Sequence, residues 1–242
     1  MNPEDYNPNV GSSITFTFNE GLIVNIKPNG DIEQQNLNLM KETKNKSSVI
    51  EEENLSVEED VSRLVTRNGV TVRTMKDDNK IIYFTDGTIT KTDHRRGIWR
   101  TTNSKGIVRE RNLRTQTFTD LRQRLKTVTK VDPETSAVVE IREDGLLKIT
   151  YADRKTLFVF PDNTYLLITK SGPAEEGSAV TTTLVKKEGF APVRIISDPV
   201  KARANTIIGL GGTDALMGKD NIMERSNGGV ISEVLLPDRT IV

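Results

Sequence analysis

The chain has 242 residues, with 34 lysines and arginines balanced by 34 aspartates and glutamates, so no net field draws it to nucleic acid or an anionic membrane. At 35% hydrophobic, 5% aromatic and 28% charged residues, its core is expected to be thin. It has no cysteine, which removes disulfides, thiolate nucleophiles and sulfur-ligated metals together.

Residues 1–20 lack a basic region followed by an apolar run, and no stretch approaches the ~18 apolar residues of a membrane span. A soluble, cytoplasmic chain is expected. The first predicted elements are Ile14-Thr15-Phe16-Thr17-Phe18 and Leu22-Ile23-Val24-Asn25-Ile26, the latter bracketed by Gly21 and Gly30. Residues 1–39 therefore read as an N-terminal β-hairpin unit. Residues 40–60 hold Glu51-Glu52-Glu53 and Glu58-Glu59-Asp60 with little apolar content, and read as an acidic linker outside any sheet.

From residue 61 to 172, runs of β-prone residues alternate with compact turn signals. Gly69, Asp78 and Gly87 are nine apart, and the spacing returns in Gly145, Arg154 and Asn163, seventy-six residues later. A six-residue strand plus a reversal made of Asn, Asp and Gly, which tolerate positive φ, closes a hairpin, so successive repeats predict an antiparallel meander. The fold class is all-β; the arrangement of the sheets as sandwich, solenoid or open meander is left open. The segment 91–130 interrupts the repeat with a basic insertion containing Arg95, Arg96, Arg100, Arg109, Arg111 and Arg114 among its cations. Residues 173–242 lose the rhythm and form an irregular C-terminal segment. There a glycine-rich loop at 209–218, a short helix over 214–225 and a final strand over 229–240 are expected.

Motifs that carry chemistry are absent. Gly209-Leu210-Gly211-Gly212-Thr213-Asp214 puts Asp where a dinucleotide fingerprint needs its third glycine, and Gly218-Lys219 is followed by Asp220 where a phosphate loop needs Ser or Thr. His94 is the only histidine, which excludes a multi-histidine metal site within the chain, and it reads as a surface residue. Asp77, Asp86, Asp144, Asp153 and Asp162 recur with the turns, whereas a catalytic pair occurs once, so they are assigned to turn chemistry. Trp99 and Phe118 are the only aromatics of the basic stretch, too few for a nucleic-acid reader. No catalytic, cofactor-binding or metal-binding residue is assigned, and no enzyme activity is expected. Tyr83, Phe84, Phe158, Phe160 and Tyr165 are read as core.

The run Arg63-Leu64-Val65-Thr66-Arg67-Asn68-Gly69, followed by Ile81-Ile82-Tyr83-Phe84-Thr85-Asp86-Gly87-Thr88-Ile89, resembles a segment of the sperm-associated antigen 17 family. Asp132-Pro133-Glu134-Thr135-Ser136, Arg142-Glu143-Asp144-Gly145, Tyr151-Ala152-Asp153 and Pro161-Asp162-Asn163-Thr164 are similar to a second segment in the same order, so the resemblance spans roughly residues 14–170. Arg154 and Asn163 depart from it, standing where the family more often has glycine. The resemblance implies a non-enzymatic scaffold in a projection on the central-pair microtubules of the ciliary axoneme, contributing to the regulation of beating. Its partners would be other projection proteins, and acidic tubulin for the basic segment 91–130. A different class, a β-repeat domain binding a ligand such as a glycan, is the alternative.

Overall fold

The computed structural model describes residues 13–18, 21–37, 60–172, 179–199, 215–217, 222–227 and 230–235. Their strands form two ten-stranded antiparallel sheets. The first contains β1 (Ile14–Thr17), β2 (Leu22–Ile26), β3 (Ile32–Asn36), β4 (Asp60–Val65), β5 (Thr71–Met75), β6 (Lys80–Tyr83), β7 (Ile89–Asp93), β8 (Ile98–Thr102), β9 (Ile107–Asn112) and β10 (Thr117–Arg124), paired in chain order. The second contains β11 (Thr127–Val131), β12 (Val138–Arg142), β13 (Leu147–Thr150), β14 (Lys155–Val159), β15 (Tyr165–Ser171), β16 (Val180–Lys186) and β17 (Val193–Ser197), then β20 (Val230–Leu235), β19 (Ile222–Asn227) and β18 (Ala215–Met217).

The nine-residue period is a property of the turns. The residue in phase with the repeat adopts the left-handed conformation, at φ 79° for Gly69, 63° for Asp78, 84° for Gly87, 87° for Gly145, 65° for Arg154 and 62° for Asn163. The Gly69 N–H donates to the Thr66 carbonyl at 2.8 Å while the Thr66 N–H donates to the Val70 carbonyl at 2.9 Å. That is a type I turn closed by a left-handed residue, a reversal that matches the right-handed twist of the flanking strands. The turn aspartates hold these reversals: Asp86 accepts both the N–H and the hydroxyl of Thr88 at 2.9 Å, and Asp77 accepts the Asn79 N–H at 3.1 Å.

The chain runs outward along the first sheet, crosses at residues 125–126, and returns along the second, which lies face to face on the first. Gln34 of β3 exchanges two hydrogen bonds of 2.9 Å with the backbone of Ala191, before β17. Further along, Tyr83 stacks on Phe160 with ring centroids 4.0 Å apart. The core between the sheets gathers Val24, Ile26, Ile32, Val65, Ile81 and Ile89 against Phe158, Leu166, Val185, Val193 and Val234. The arrangement is a sandwich whose first sheet is a meander and whose second is a meander from β11 to β17, extended by β20, β19 and β18 in reverse order.

The basic stretch 91–130 is no insertion: its strands continue the meander from the end of β7 to β10, with one register break between Asp120 and Gln123, and β11 opens the second sheet. The acidic stretch lies outside the described residues except Asp60, which opens β4. After Gly172 the spacing does lengthen, the next left-handed residue among those described being Gly189, but pairing continues through β17 to β20. The helix expected over 214–225 is replaced by β18 and β19, which pair with each other and, through β19, with β20. The rest of the glycine-rich 209–218 lies outside the described residues.

Candidate interaction surface

The most heavily perturbed groups lie between the sheets. Arg63 of β4 and Arg73 of β5 are cross-strand partners on the buried face, 3% and 4% exposed. Asp60 pairs with both, reaching Arg73 Nη2 at 2.7 Å, and Asp162 of the β14–β15 turn pairs with both from the opposite sheet, at 3.3 Å from Arg73 Nε. Arg63 also donates to the Thr164 hydroxyl at 2.7 Å, and Arg73 to the Tyr83 hydroxyl at 2.9 Å. Two cations and two carboxylates neutralise one another, as buried charges must. Burial alone would raise the Asp162 carboxyl, but Arg63, Arg73 and the Thr164 hydroxyl outweigh it and hold it at about 2. Burial pushes the Tyr83 phenol well up, so it stays protonated. Groups locked in one ionisation state near neutral pH make a clamp between sheets and are poorly suited to proton transfer. Asp162 thus has a second task beyond its turn, where it accepts the Thr164 N–H at 3.1 Å. The expectation of turn chemistry gave no sign of it.

Toward the crossover the interior becomes polar. Lys148 meets Glu140 at 2.5 Å, and Arg142 spans from Asp144, at 2.7 and 2.8 Å, to the Asn103 carbonyl of the first sheet at 2.8 Å. His94, in the loop between β7 and β8, is exposed, as expected of a surface histidine.

The outer face of the second sheet carries apolar side chains of its own. Register places Val128, Ile141, Leu147, Val159 and Tyr165 in one row across the outside of β11–β15, and Val139, Ile149, Leu157, Leu167 and Leu184 in the next, from β12 to β16. All ten are half-buried or exposed; Val128 is 56%, Ile141 48% and Tyr165 45% exposed. Tyr165 was expected in the core and faces out. With strands about 4.8 Å apart, five side chains in a row span roughly 20 Å. A contiguous apolar face of this kind on a folded domain marks an interaction site.

The internal repeat explains its origin. Adding seventy-six to Val65, Thr71, Arg73, Ile81, Tyr83 and Ile89, which line the interior of the first sheet, gives Ile141, Leu147, Ile149, Leu157, Val159 and Tyr165, which line the exterior of the second. The two copies share turns and strand phase but present opposite faces to the core. Strands β14 and β15 are therefore apolar on both sides: Phe158 and Leu166 point in while Leu157 and Leu167 point out.

The basic stretch does not form one charged face. Register puts Arg109 and Arg111 on the outer face of the first sheet with Trp99 and Phe118, whereas Lys91 and Arg100 share the opposite face and Arg95, Arg96, Lys105 and Arg114 sit in turns. Arg111 lies 5.0 Å over the Phe118 ring, beside a shallow groove of about 420 Å³ lined by Thr90, Trp99, Thr101 and Arg109.

No family model matches the chain, and no curated protein matches it. Solved structures do. The wild-type TCP10 domain of Danio rerio CPAP, in complex with a peptide of Danio rerio STIL, is 11% identical over 95% of this chain and 100% of that one, with a TM-score of 0.30. The G-box domain of the microcephaly protein CPAP is 9% identical over 76% of this chain and 92% of that one, at 0.27. The SAS-4 (dCPAP) TCP domain of Drosophila melanogaster, in complex with a proline-rich motif of Ana2 (dSTIL), is 12% identical over 78% and 89%, at 0.20. At such TM-scores the likeness is too loose to carry function across.

Proposed function

We propose that this chain is a non-enzymatic interaction module of the ciliary central apparatus, whose second sheet seats its outer face on the apolar face of a neighbouring projection protein. The observation that carries the reading is the apolar exterior of β11–β16, whose positions correspond through the repeat to core-lining positions of the first sheet. A side chain selected to be covered in one copy and left uncovered in the other asks for a partner. The ciliary assignment rests on the resemblance to sperm-associated antigen 17, in the order of its turns and spacers. The basic residues, spread over both faces and several turns, favour apolar docking over a single electrostatic contact with tubulin. Co-fractionation with demembranated axonemes tests the reading. The protein is expected to stay with the axoneme in high salt, because apolar contacts are not screened, and Ile141→Glu is expected to release it. A wild-type protein that washes out with the soluble fraction, from axonemes that beat normally without it, overturns the assignment.

Trp99 and Phe118 sharing one outer face favour a second reading, binding of a glycan ring on the first sheet. Trp99 is the only tryptophan, so titrating its fluorescence with oligosaccharides decides this directly. An unchanged emission removes the glycan reading.

A further inference from the structure

The sandwich ends at the crossover with two edge strands, β10 and β11, and they are built differently. Strand β10 is blunted: its register breaks between Asp120 and Gln123, and Arg122 sits at φ 50°. Such a bulge twists an edge away from new partners. Strand β11, Thr127-Val128-Thr129-Lys130-Val131, pairs with β12 without a break, contains no proline, and is exposed at all five positions. On its inner side the Lys126 carbonyl accepts the Glu143 N–H and the Asp132 N–H donates to the Ala137 carbonyl, both at 2.9 Å. Hydrogen bonding alternates along an antiparallel strand, so the even-numbered residues face β12 and Thr127, Thr129 and Val131 turn their N–H and C=O groups to the open side.

We propose that β11 pairs antiparallel with β11 of a second copy of this chain, about a two-fold axis through Thr129. In that register Thr127 faces Val131 of the second copy and Thr129 faces Thr129, so every outward-turned residue of one strand meets an outward-turned residue of the other. Each of those pairs exchanges two N–H···O bonds. Charge selects this register over its neighbours. It sets Lys126 against Asp132 at both ends and lays the aliphatic stem of Lys130 over Val128. A slip by two residues in one direction opposes Lys126 to Lys130, and in the other opposes Lys130 to Lys130. Like charges directly opposite each other are destabilising, so the proposed register avoids a penalty that both two-residue slips incur. Asp132 is ready for its part: the Thr135 hydroxyl, at 2.6 Å, is the main reason its carboxyl lies below the usual range. The pairing is isologous and closes on itself, consuming both open edges. It would also join the outer apolar rows of two copies into one face, a consequence that holds whatever that face binds.

Sedimentation velocity of the full chain over a concentration series, at neutral pH and low salt, tests the proposal. A monomer–dimer equilibrium is expected. Thr129→Pro removes an N–H that points away from β12, so the fold is kept, while two bonds at the dimer axis are lost and self-association weakens about 30-fold. Lys126→Asp sets carboxylate against Asp132 of the second copy, and Asp132→Lys sets amine against Lys126; each single variant is expected to self-associate poorly and a mixture of the two to recover the dimer. Amide exchange at Thr127, Thr129 and Val131 is expected to slow as concentration rises. A chain that stays monomeric up to about 1 mM, where even a weak interface is populated, overturns the proposal. So does a dimer indifferent to Thr129→Pro but dispersed by Ile141→Glu, which would belong to the outer face, or a mixture of charge variants that fails to recover.

Discussion

Lowering the pH should open the sandwich at one identifiable place. The Asp162 carboxylate is held at about 2, against 3.8 in the absence of its partners, so its ionisation favours the folded state by roughly 2–3 kcal/mol at 1.36 kcal/mol per unit. A depressed folded value means that this contribution is complete above pH ~4–5 and is lost as the pH falls toward 2. Protonation also leaves Arg63 and Arg73 facing Asp60 alone across a buried interface. Asp162→Asn imposes that state at every pH. It should cost about 3–5 kcal/mol at pH 7, the usual consequence of removing one partner from a buried ionic cluster. Urea unfolding of wild type and Asp162→Asn at pH 7 and near pH 2.5 measures both quantities. The gap between the two proteins should narrow by roughly 2 kcal/mol at the lower pH. A gap that is independent of pH would refute the assignment of this carboxylate as the clamp between the sheets.

Gly69 and Gly145 are repeat equivalents at φ 79° and 87°, but a Cβ at Gly69 would meet Thr183 Cγ2 of the opposite sheet at 2.8 Å, whereas at Gly145 it would meet Pro161 at 3.5 Å. Gly145→Ala should therefore cost the left-handed strain alone, ~1–2 kcal/mol, and Gly69→Ala a further ~1–3 from crowding between the sheets, read by chemical denaturation. Phe160→Ala, which removes the buried ring stacked on Tyr83, should cost ~3–5 kcal/mol, while Tyr165→Ala on the outer face should stay within ~1, by the same assay. Ile141→Glu should leave the thermal midpoint of the isolated chain nearly unchanged and remove its retention by axonemes; a large loss of stability would instead place Ile141 in a core.

The meander could be read from the chain because its signal is local. Asn68-Gly69, Asp77-Asp78 and Asp86-Gly87 each dictate a reversal within four residues, and the strands between them have no alternative partner at that spacing. Strands β18 and β19 were missed because Ala215-Leu216-Met217 has good helix formers, and pairing across the sheet overrides propensity. The clamp was invisible for a different reason. Arg63 and Asp162 are 99 residues apart, and nothing in either local pattern separates Asp162 from Asp86, which only holds its turn. The apolar exterior was partly legible, since Leu157-Phe158-Val159 and Tyr165-Leu166-Leu167-Ile168 do not alternate. Continuous apolar runs are ordinarily read as strands covered on both faces, and that reading is correct here only once a partner is supplied.

The inversion of faces between the repeats follows from the registers that join them. Pairings that all kept the parity of the inward positions would send equivalent residues of both copies to the core. Here residues 125–126 carry the chain from one sheet to the other immediately after the bulge between Asp120 and Gln123, where Arg122 takes a left-handed conformation. That irregularity leaves two residues, Leu121 and Arg122, unpaired against β9, so with side chains alternating at a period of two it keeps the faces and does not exchange them. It blunts β10 as an edge, while the inversion is set by register: partner numbers sum to an odd value at β7–β8, β9–β10 and β11–β12, and each such pairing moves the inward positions between odd and even numbers, so the first copy buries odd-numbered positions and the second even-numbered ones. Two kinds of contact are left to the second sheet, backbone groups along β11 and apolar side chains across β11–β16. Both are groups that the two proposed contacts would cover.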